Sequence, residues 1–225
     1  MNSFREKMRA SPIYARVAPY VIFVLLTVSQ SMFGEAGQYW IYLGKMLAGL
    51  WCIREMRLAA PEVRWVFSWE AISVGVLIFL IWVGLDPYYP KLQSVSKITE
   101  PWNPFKQFGE NSVGGWCFSA VRTLGSALII PPIEEAFYRS FLYRYLVRAH
   151  FEEEPLGVLH WWSLVITSLI FGFSHYQWLA GILCGLAYQA LVIRKNRLGD
   201  AMTAHAITNF LLALWIIWKD AWRFW

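Results

Sequence analysis

The chain has 225 residues, 57% hydrophobic, 18% aromatic and only 16% charged, with a net charge of +5 and a mean hydropathy of +0.40. A typical soluble domain is about 45–50% apolar and about 25% charged, so this composition excludes a disordered chain, an acidic tail and an ordinary soluble globule. The basic excess comes with no nucleic-acid-binding motif; no nucleic-acid partner is expected, and the charge is read as a membrane-topology signal.

The apolar residues fall into runs of bilayer length, about 20 residues per helix. Arg5, Lys7, Arg9 and Arg16 precede the first run, 17–32. Positive residues before an apolar stretch also describe a signal peptide, but no small-x-small cleavage site follows, which favours an uncleaved helix. The second run, 38–52, contains Lys45 and is the least hydrophobic; the basic residues Arg54, Arg57 and Arg64 follow it. The third, 65–85, ends at Asp86-Pro87, because proline cannot continue the hydrogen-bond ladder.

Residues 86–112 form the one long polar connection, with Pro87, Pro90, Pro101 and Pro104 among Tyr88, Tyr89 and Trp102. Such rings prefer the headgroup level, so an ordered interfacial loop and a flexible one are equally good readings. The fourth run, 113–133, ends at Pro131-Pro132, and a polar helix over 134–150 follows. Runs at 161–175, 179–193 and 201–218 complete the pattern. The expectation is an all-α, polytopic membrane helix bundle of seven to eight transmembrane helices, one integral-membrane domain over 1–225, with no internal repeat. Cys52, Cys117 and Cys184 suit neither a disulfide framework nor a zinc knuckle and read as small core residues.

Alternating seven spans puts Arg5–Arg16, Arg54–Arg64, Arg139–Arg148 and Arg194–Arg197 on one side, against Lys91, Lys97, Lys106, Lys219 and Arg223 on the other. Positive residues in short connections mark the cytoplasmic side, which places the N-terminus there.

Ionisable groups inside membrane helices are costly and point to function. Three clusters qualify. In Pro131-Pro132-Ile133-Glu134-Glu135-Ala136-Phe137-Tyr138-Arg139 the prolines suit the start of a helix, placing both carboxylates in a first turn where the dipole favours them. Glu135 and Arg139 share a face at i,i+4 and can pair. Glu134 lies about a quarter-turn away with no basic partner, free to face a cavity. Taken alone, the cluster equally describes an interfacial helix start with two solvated acids.

The second cluster, Phe171-Gly172-Phe173-Ser174-His175, puts Phe171 and His175 on one face, with Gly172 allowing close packing. The third, His205-Ala206-Ile207-Thr208-Asn209, makes imidazole and carboxamide project together; interhelical hydrogen bonding is its bland alternative. Together the clusters supply the parts for amide hydrolysis in a wet cavity. A carboxylate aided by histidine takes a proton from water, and imidazole and carboxamide donors stabilise an oxyanion. Ser174 is too close in sequence to His175 to form a nucleophile–base pair. His150 and His160 lie in a connection, Glu152–Glu154 reads as a solvated patch, Glu70 and Lys45 as snorkelling helix-end residues, and Arg122 as a deep cation with an unidentified partner.

EExxxR (Glu134, Glu135, Arg139), FxxxH (Phe171, His175) and HxxxN (His205, Asn209), in that order and each in an apolar context, resemble the CAAX prenyl endopeptidase and bacteriocin-processing family of intramembrane proteases. Residues 175–188 and the terminal Trp222-Arg-Phe-Trp225 look closest to its bacterial, exosortase-associated group. The resemblance implies a motif-bearing catalytic core over 113–218 in a bacterial inner-membrane protein, with a chamber open to the cytoplasmic side. It implies that Glu134 and His175 activate water, that His205 and Asn209 hold the oxyanion, and that Glu135, Arg139 and Phe171 support them. The implied activity is endoproteolysis of a membrane-anchored protein or peptide, without a cofactor. A zinc-dependent version with Glu134, His175 and His205 as ligands is the alternative, since zinc favours three protein ligands plus water, although HExxH is absent. A non-catalytic scaffold or immunity protein that keeps the chamber is the rival outside enzymology; a transporter, lacking repeats, ranks last.

One geometric expectation follows. In straight spanning helices His205 would lie about 7 Å from the cytoplasmic end and His175 over about 20 Å along its own helix. For the two to share a site, the fifth helix must start deeper, or the chain must turn back inside the protein after His175.

Overall fold

The computed structural model describes residues 2–92 and 102–225, and among these every regular element is helical. Lys97 and Pro101, in the middle of the 86–112 connection, lie outside the described residues. An amphipathic α1 (Asn2–Ala10) leads into α2 (Pro12–Gln30) and α3 (Gly34–Met56), which pack as a hairpin. Next come α4 (Trp69–Leu85), a short α5 (Pro104–Phe108) and α6 (Val113–Leu128). Two longer helices, α10 (Trp178–Lys195) and α11 (Gly199–Lys219), follow the 13-residue α9 (Trp161–Phe173). Four stretches are long and apolar enough to cross a membrane: Pro12–Gln30, Trp69–Tyr88, Val113–Val147 and Gly199–Lys219. The chain is a multi-pass helical membrane protein.

Local chemistry sets the ends. Ser68 and Ser112 cap α4 and α6 by accepting the Ala71 and Gly115 N–H groups at 3.2 and 3.0 Å, an exchange typical of N-caps. Asn196 ends α10 in the left-handed conformation (φ 50°) and accepts the Gly157 N–H at 2.7 Å. The His160 ring caps α9 through Ser163 N–H at 3.3 Å.

Helix α11 occupies the centre, packed on α4, α6 and α10. Its Thr208 hydroxyl donates to the Gly75 carbonyl of α4 at 2.9 Å, a close approach that glycine permits.

The prolines do not end the fourth helix. Ile129 (φ −106°, ψ −42°) marks a junction, after which α7 (Ile130–Glu135), a π-helical segment (Ala136–Leu142) and α8 (Tyr143–Val147) continue the same 35-residue rod. Pro131 and Pro132 occupy the opening positions of α7, where a missing N–H costs nothing. Glu134 and Glu135 therefore sit near the end of α7 and not in the first turn of a separate helix, so the dipole argument for them falls. Cys52 and Cys184 are buried, whereas Cys117 is exposed on α6, against the reading of all three as core.

Basic residues gather at one end. Arg5 and Arg9 flank Glu55 at 3.1 and 3.4 Å, and Lys195 pairs with Glu70 near Arg197–Asp200. The opposite end holds Asp86 with Lys91 and Arg223, and the Trp178 indole donating to Pro90 O at 2.8 Å.

A polar node at the basic end ties α2, the 57–68 connection and the rod together. Arg16 donates to Glu62 at 2.6 Å and to the Ser140 hydroxyl at 2.8 Å, Ser140 donates to Glu62, and Arg144 donates to Ser140 Oγ at 2.9 Å. Burial alone would raise the Glu62 pKa, but the Arg16 guanidinium and the Ser140 hydroxyl outweigh it and hold the carboxyl below the usual carboxylate range. A depressed folded-state pKa adds stability that is complete above the unfolded value of about 4.3 and disappears as pH falls through the lower one. Glu62→Gln should cost about 3 kcal/mol by leaving two arginines unpaired. Thermal unfolding in detergent should show this penalty in full at pH 7 and a shrinking one as pH falls progressively below about 4; a penalty unchanged down the acid series would remove the ionised Glu62 from the account.

Candidate functional site

The three clusters meet beside one cavity of about 240 Å³. Its floor is Glu134 from α7 with His205, Thr208 and Asn209 from α11, and Phe171 and His175 close one wall. Helix α9 stops at Phe173 after 13 residues, so His175 lies in the turn between α9 and α10. This answers the depth problem: α9 spans only about 20 Å, and the chain turns back inside the protein. The Phe171 ring then contacts both histidines, its centroid 4.7 Å from His175 and 6.1 Å from His205.

The adjacent glutamates have opposite surroundings. Glu135 is fully buried, paired with Arg139 at 3.1 Å as the i,i+4 spacing predicts, and it also accepts from His205 Nδ1 at 2.9 Å. The Arg139 Nη atoms have no hydrogen-bond acceptor; the guanidinium lies instead over the Phe171 ring, 4.4 Å from its centroid, with the Tyr138 and Tyr188 rings nearby. Aromatic faces favour a cation there. Glu134 faces the cavity, and its nearest charged neighbour is His205 Nε2 at 4.0 Å from Oε2. Glu135 thus does more than pair with Arg139: it orients the imidazole beside Glu134.

Hydrogen-bond partners fix both histidine tautomers. A carbonyl or carboxylate only accepts, so His205 carries hydrogen on Nδ1 toward Glu135, and its Nε2 faces Glu134. His175 likewise donates from Nδ1 to the Phe171 carbonyl at 2.7 Å. Asn209 donates one amide hydrogen to Ser126 O at 2.8 Å, leaving its second N–H and its carbonyl for the cavity.

Sequence reading gave no role to several groups that position these side chains. Tyr188 stacks on His205 at 5.3 Å and donates to Thr208 at 2.7 Å. Trp82 meets His175 edge-on at 5.6 Å, and Ser126 anchors Asn209. Only Tyr138, inside the EExxxR segment, carried a signal: its hydroxyl bonds Tyr20 at 2.5 Å and Ser174 at 3.4 Å. Lys45 does not snorkel. It is buried, donates to Thr27 and Gln30 at 3.2 Å each, and lines the cavity with Arg122.

Among the described residues no three His, Cys, Asp or Glu side chains group closely enough to hold one metal ion; the His205 Nδ1–H on Glu135 leaves its Nε2 open toward the cavity.

Residues 115–211 match the family model described as type II CAAX prenyl endopeptidase, Rce1-like. This segment is similar to that family. The match takes in all three motifs, from Glu134 to Asn209, and leaves α1–α5 outside it. No curated protein and no solved structure matches the chain.

Proposed function

We propose that the protein is an intramembrane endopeptidase that hydrolyses a peptide bond of a membrane-anchored protein, using water activated by Glu134. What carries this reading is the split between the two glutamates: Glu135 is sealed between Arg139 and His205, while Glu134 faces the cavity. In the proposed mechanism Glu134, with the unprotonated Nε2 of His175, takes the proton from water as it attacks the carbonyl. The developing oxyanion accepts from the free Asn209 N–H and from His205 Nε2. His205 donates there in the form that carries hydrogen on both ring nitrogens. Proton return to the leaving amine from Glu134 completes hydrolysis.

The finer elements of the proposal are seven to eight spans forming one domain over 1–225, a catalytic core over 113–218 and a bacterial inner-membrane location. The likeness of 175–188 and 222–225 to the exosortase-associated group supports a sorting or export component as the substrate. The basic end is assigned to the cytoplasm by the positive-inside rule. The cavity extends from Glu134 toward Trp82, Gln177 and Trp225 at the other end, so this orientation reverses the cytoplasmic opening that the family resemblance implies. On intact cells a membrane-impermeant maleimide should label Lys219→Cys and spare Arg57→Cys, both in a Cys117→Ser background. The reverse pattern inverts the orientation.

The deciding experiment is cleavage of a membrane-anchored peptide by the purified protein, beside Glu134→Ala, with and without a chelator. Loss of cleavage in the variant and indifference to chelation support the glutamate mechanism; rescue by zinc after chelation overturns it. A substrate that binds wild type and variant equally and is never cut makes the protein a scaffold.

A further inference from the structure

We infer that Tyr20 of α2 is a positioning residue for catalysis: acting through Tyr138 and Ser174, it holds the turn that carries His175 in register with Glu134. This rests on the protease reading above and adds to it a residue from outside the segment that matches the family model.

An unbroken run of hydrogen bonds, all pointing one way, joins α2 to the His175 turn. Phe171 lies in the last turn of α9, where a backbone carbonyl has no partner within the helix. Its oxygen accepts instead from the Ser174 hydroxyl and from His175 Nδ1, at 2.7 Å each, which uses both of its lone pairs. Ser174 has thereby spent its one hydrogen, and its oxygen can only accept. It accepts from the Tyr138 hydroxyl at 3.4 Å, so the Tyr138 oxygen is left to accept from Tyr20 at 2.5 Å. Each hydroxyl has one way to point, and the first donor in the row is Tyr20.

The rings run the same course. Tyr20 stacks on Phe137 at 4.0 Å with the planes 6° apart, and meets Tyr138 edge-on at 5.3 Å. Tyr138 meets Phe171 edge-on at 5.0 Å, and Phe171 contacts His175 at 4.7 Å. One turn earlier on the same face of α2, Arg16 donates to Ser140 at 2.8 Å. Helix α2 therefore grips the π-helical segment on both sides of Arg139. Turns of this kind are rare and frequent at functional sites. His175 stands after the last residue of α9 and before the first of α10, so its place depends on side-chain bonds more than that of a residue inside a helix. Packing alone would need only the ring of Tyr20; the hydroxyl is what joins α2 to the histidine turn.

The test uses the full-length protein in detergent. Tyr20→Phe keeps the stacked ring and removes only the hydroxyl; Ser174→Ala breaks the same run beside His175. Tyr20→Phe should lower kcat about tenfold with KM unchanged, as a misplaced base does. Ser174→Ala should do the same, and the double variant should lose no more than either alone, because one broken link already disconnects the run. A second readout needs no cleavage. Among the four histidines, the His175 Nδ1 proton is assigned in the NMR spectrum of histidine-labelled protein by its loss in His175→Gln. Its exchange with solvent should quicken about tenfold in Tyr20→Phe, while the His205 Nδ1 proton, held by Glu135, keeps its rate. Losses of kcat that simply add in the double variant overturn the proposal, as does a lower kcat with His175 exchange unchanged. Equal quickening at both histidines marks a general loosening and overturns it too. A Tyr20→Phe protein that matches wild type in both readouts makes Tyr20 a packing residue only. If the wild-type protein cuts no substrate, the protease reading falls, and the exchange rates at His175 still decide whether Tyr20 holds its turn.

Discussion

Glutamine at position 134 should leave the protein folded and inactive, whereas glutamine at position 135 should unfold it. The two substitutions remove the same charge from neighbouring residues, so their difference reads the surroundings alone. Glu134 faces the cavity without a basic ion-pair partner except the far edge of His205. Glutamine fits there but cannot take a proton from water, and a general base contributes about 10²–10⁴ in rate. Cleavage should fall by at least about that factor, with the thermal midpoint nearly unchanged. Glu135 is fully buried between Arg139 and His205. Its neutralisation leaves a buried guanidinium with only aromatic faces, a change expected to cost about 3–5 kcal/mol. Activity should fall as well, since His205 loses the group that orients it. The readouts are near-ultraviolet circular dichroism with thermal unfolding, and turnover at saturating substrate. If Glu134→Gln proves the less stable of the two, or if Glu135→Gln is as stable as wild type, the division of roles is wrong.

Four of the seven apolar runs were legible as candidate spans, because a bilayer demands long apolar stretches whatever they pack against. The pairing of Glu135 with Arg139 was legible for a similar reason, since i,i+4 spacing fixes neighbours within one helix. What escaped the sequence came from elsewhere in the chain. Proline normally breaks a ladder, but here the pair opens a six-residue helix and the rod runs on, because the junction falls at Ile129 where Gly49 of α3 packs closely enough to hold it. Lys45 reads as a snorkelling residue until Thr27 and Gln30 of α2 are placed beside it. The rings around Arg122 come from Tyr42, Trp102 and Trp225, separated by tens of residues, and no periodicity in α6 announces them. The second bond to Glu135, from His205, likewise joins positions 70 residues apart.

Substituting Gly172 with alanine should be among the most damaging single-methyl changes in the core, and the one that most directly disturbs the site. A Cβ at this position would lie 2.3 Å from Ile182 Cγ1 and 2.7 Å from both the Ile182 nitrogen and the Trp178 oxygen. Two of these three atoms are backbone, so rotamer changes cannot relieve the clash. Across the same contact a Cβ on Gly181 would meet the Gly172 Cα at 2.9 Å, so the two glycines define how closely α9 and α10 approach. Forcing them apart should cost about 1–3 kcal/mol as overpacking. The functional cost should be larger. Gly172 sits between Phe171, which touches both histidines, and the turn that carries His175, and a misplacement of about 1 Å can cost about 100-fold in rate. Gly44→Ala and Gly84→Ala serve as controls: both positions are helical, a Cβ there meets nothing within 4 Å, and alanine should be neutral or stabilising by up to about 1 kcal/mol. Thermal unfolding and turnover, measured on all three variants, check the expectation. A Gly172→Ala protein as stable and active as the controls would mean that α9 and α10 do not hold His175 in place by backbone contact.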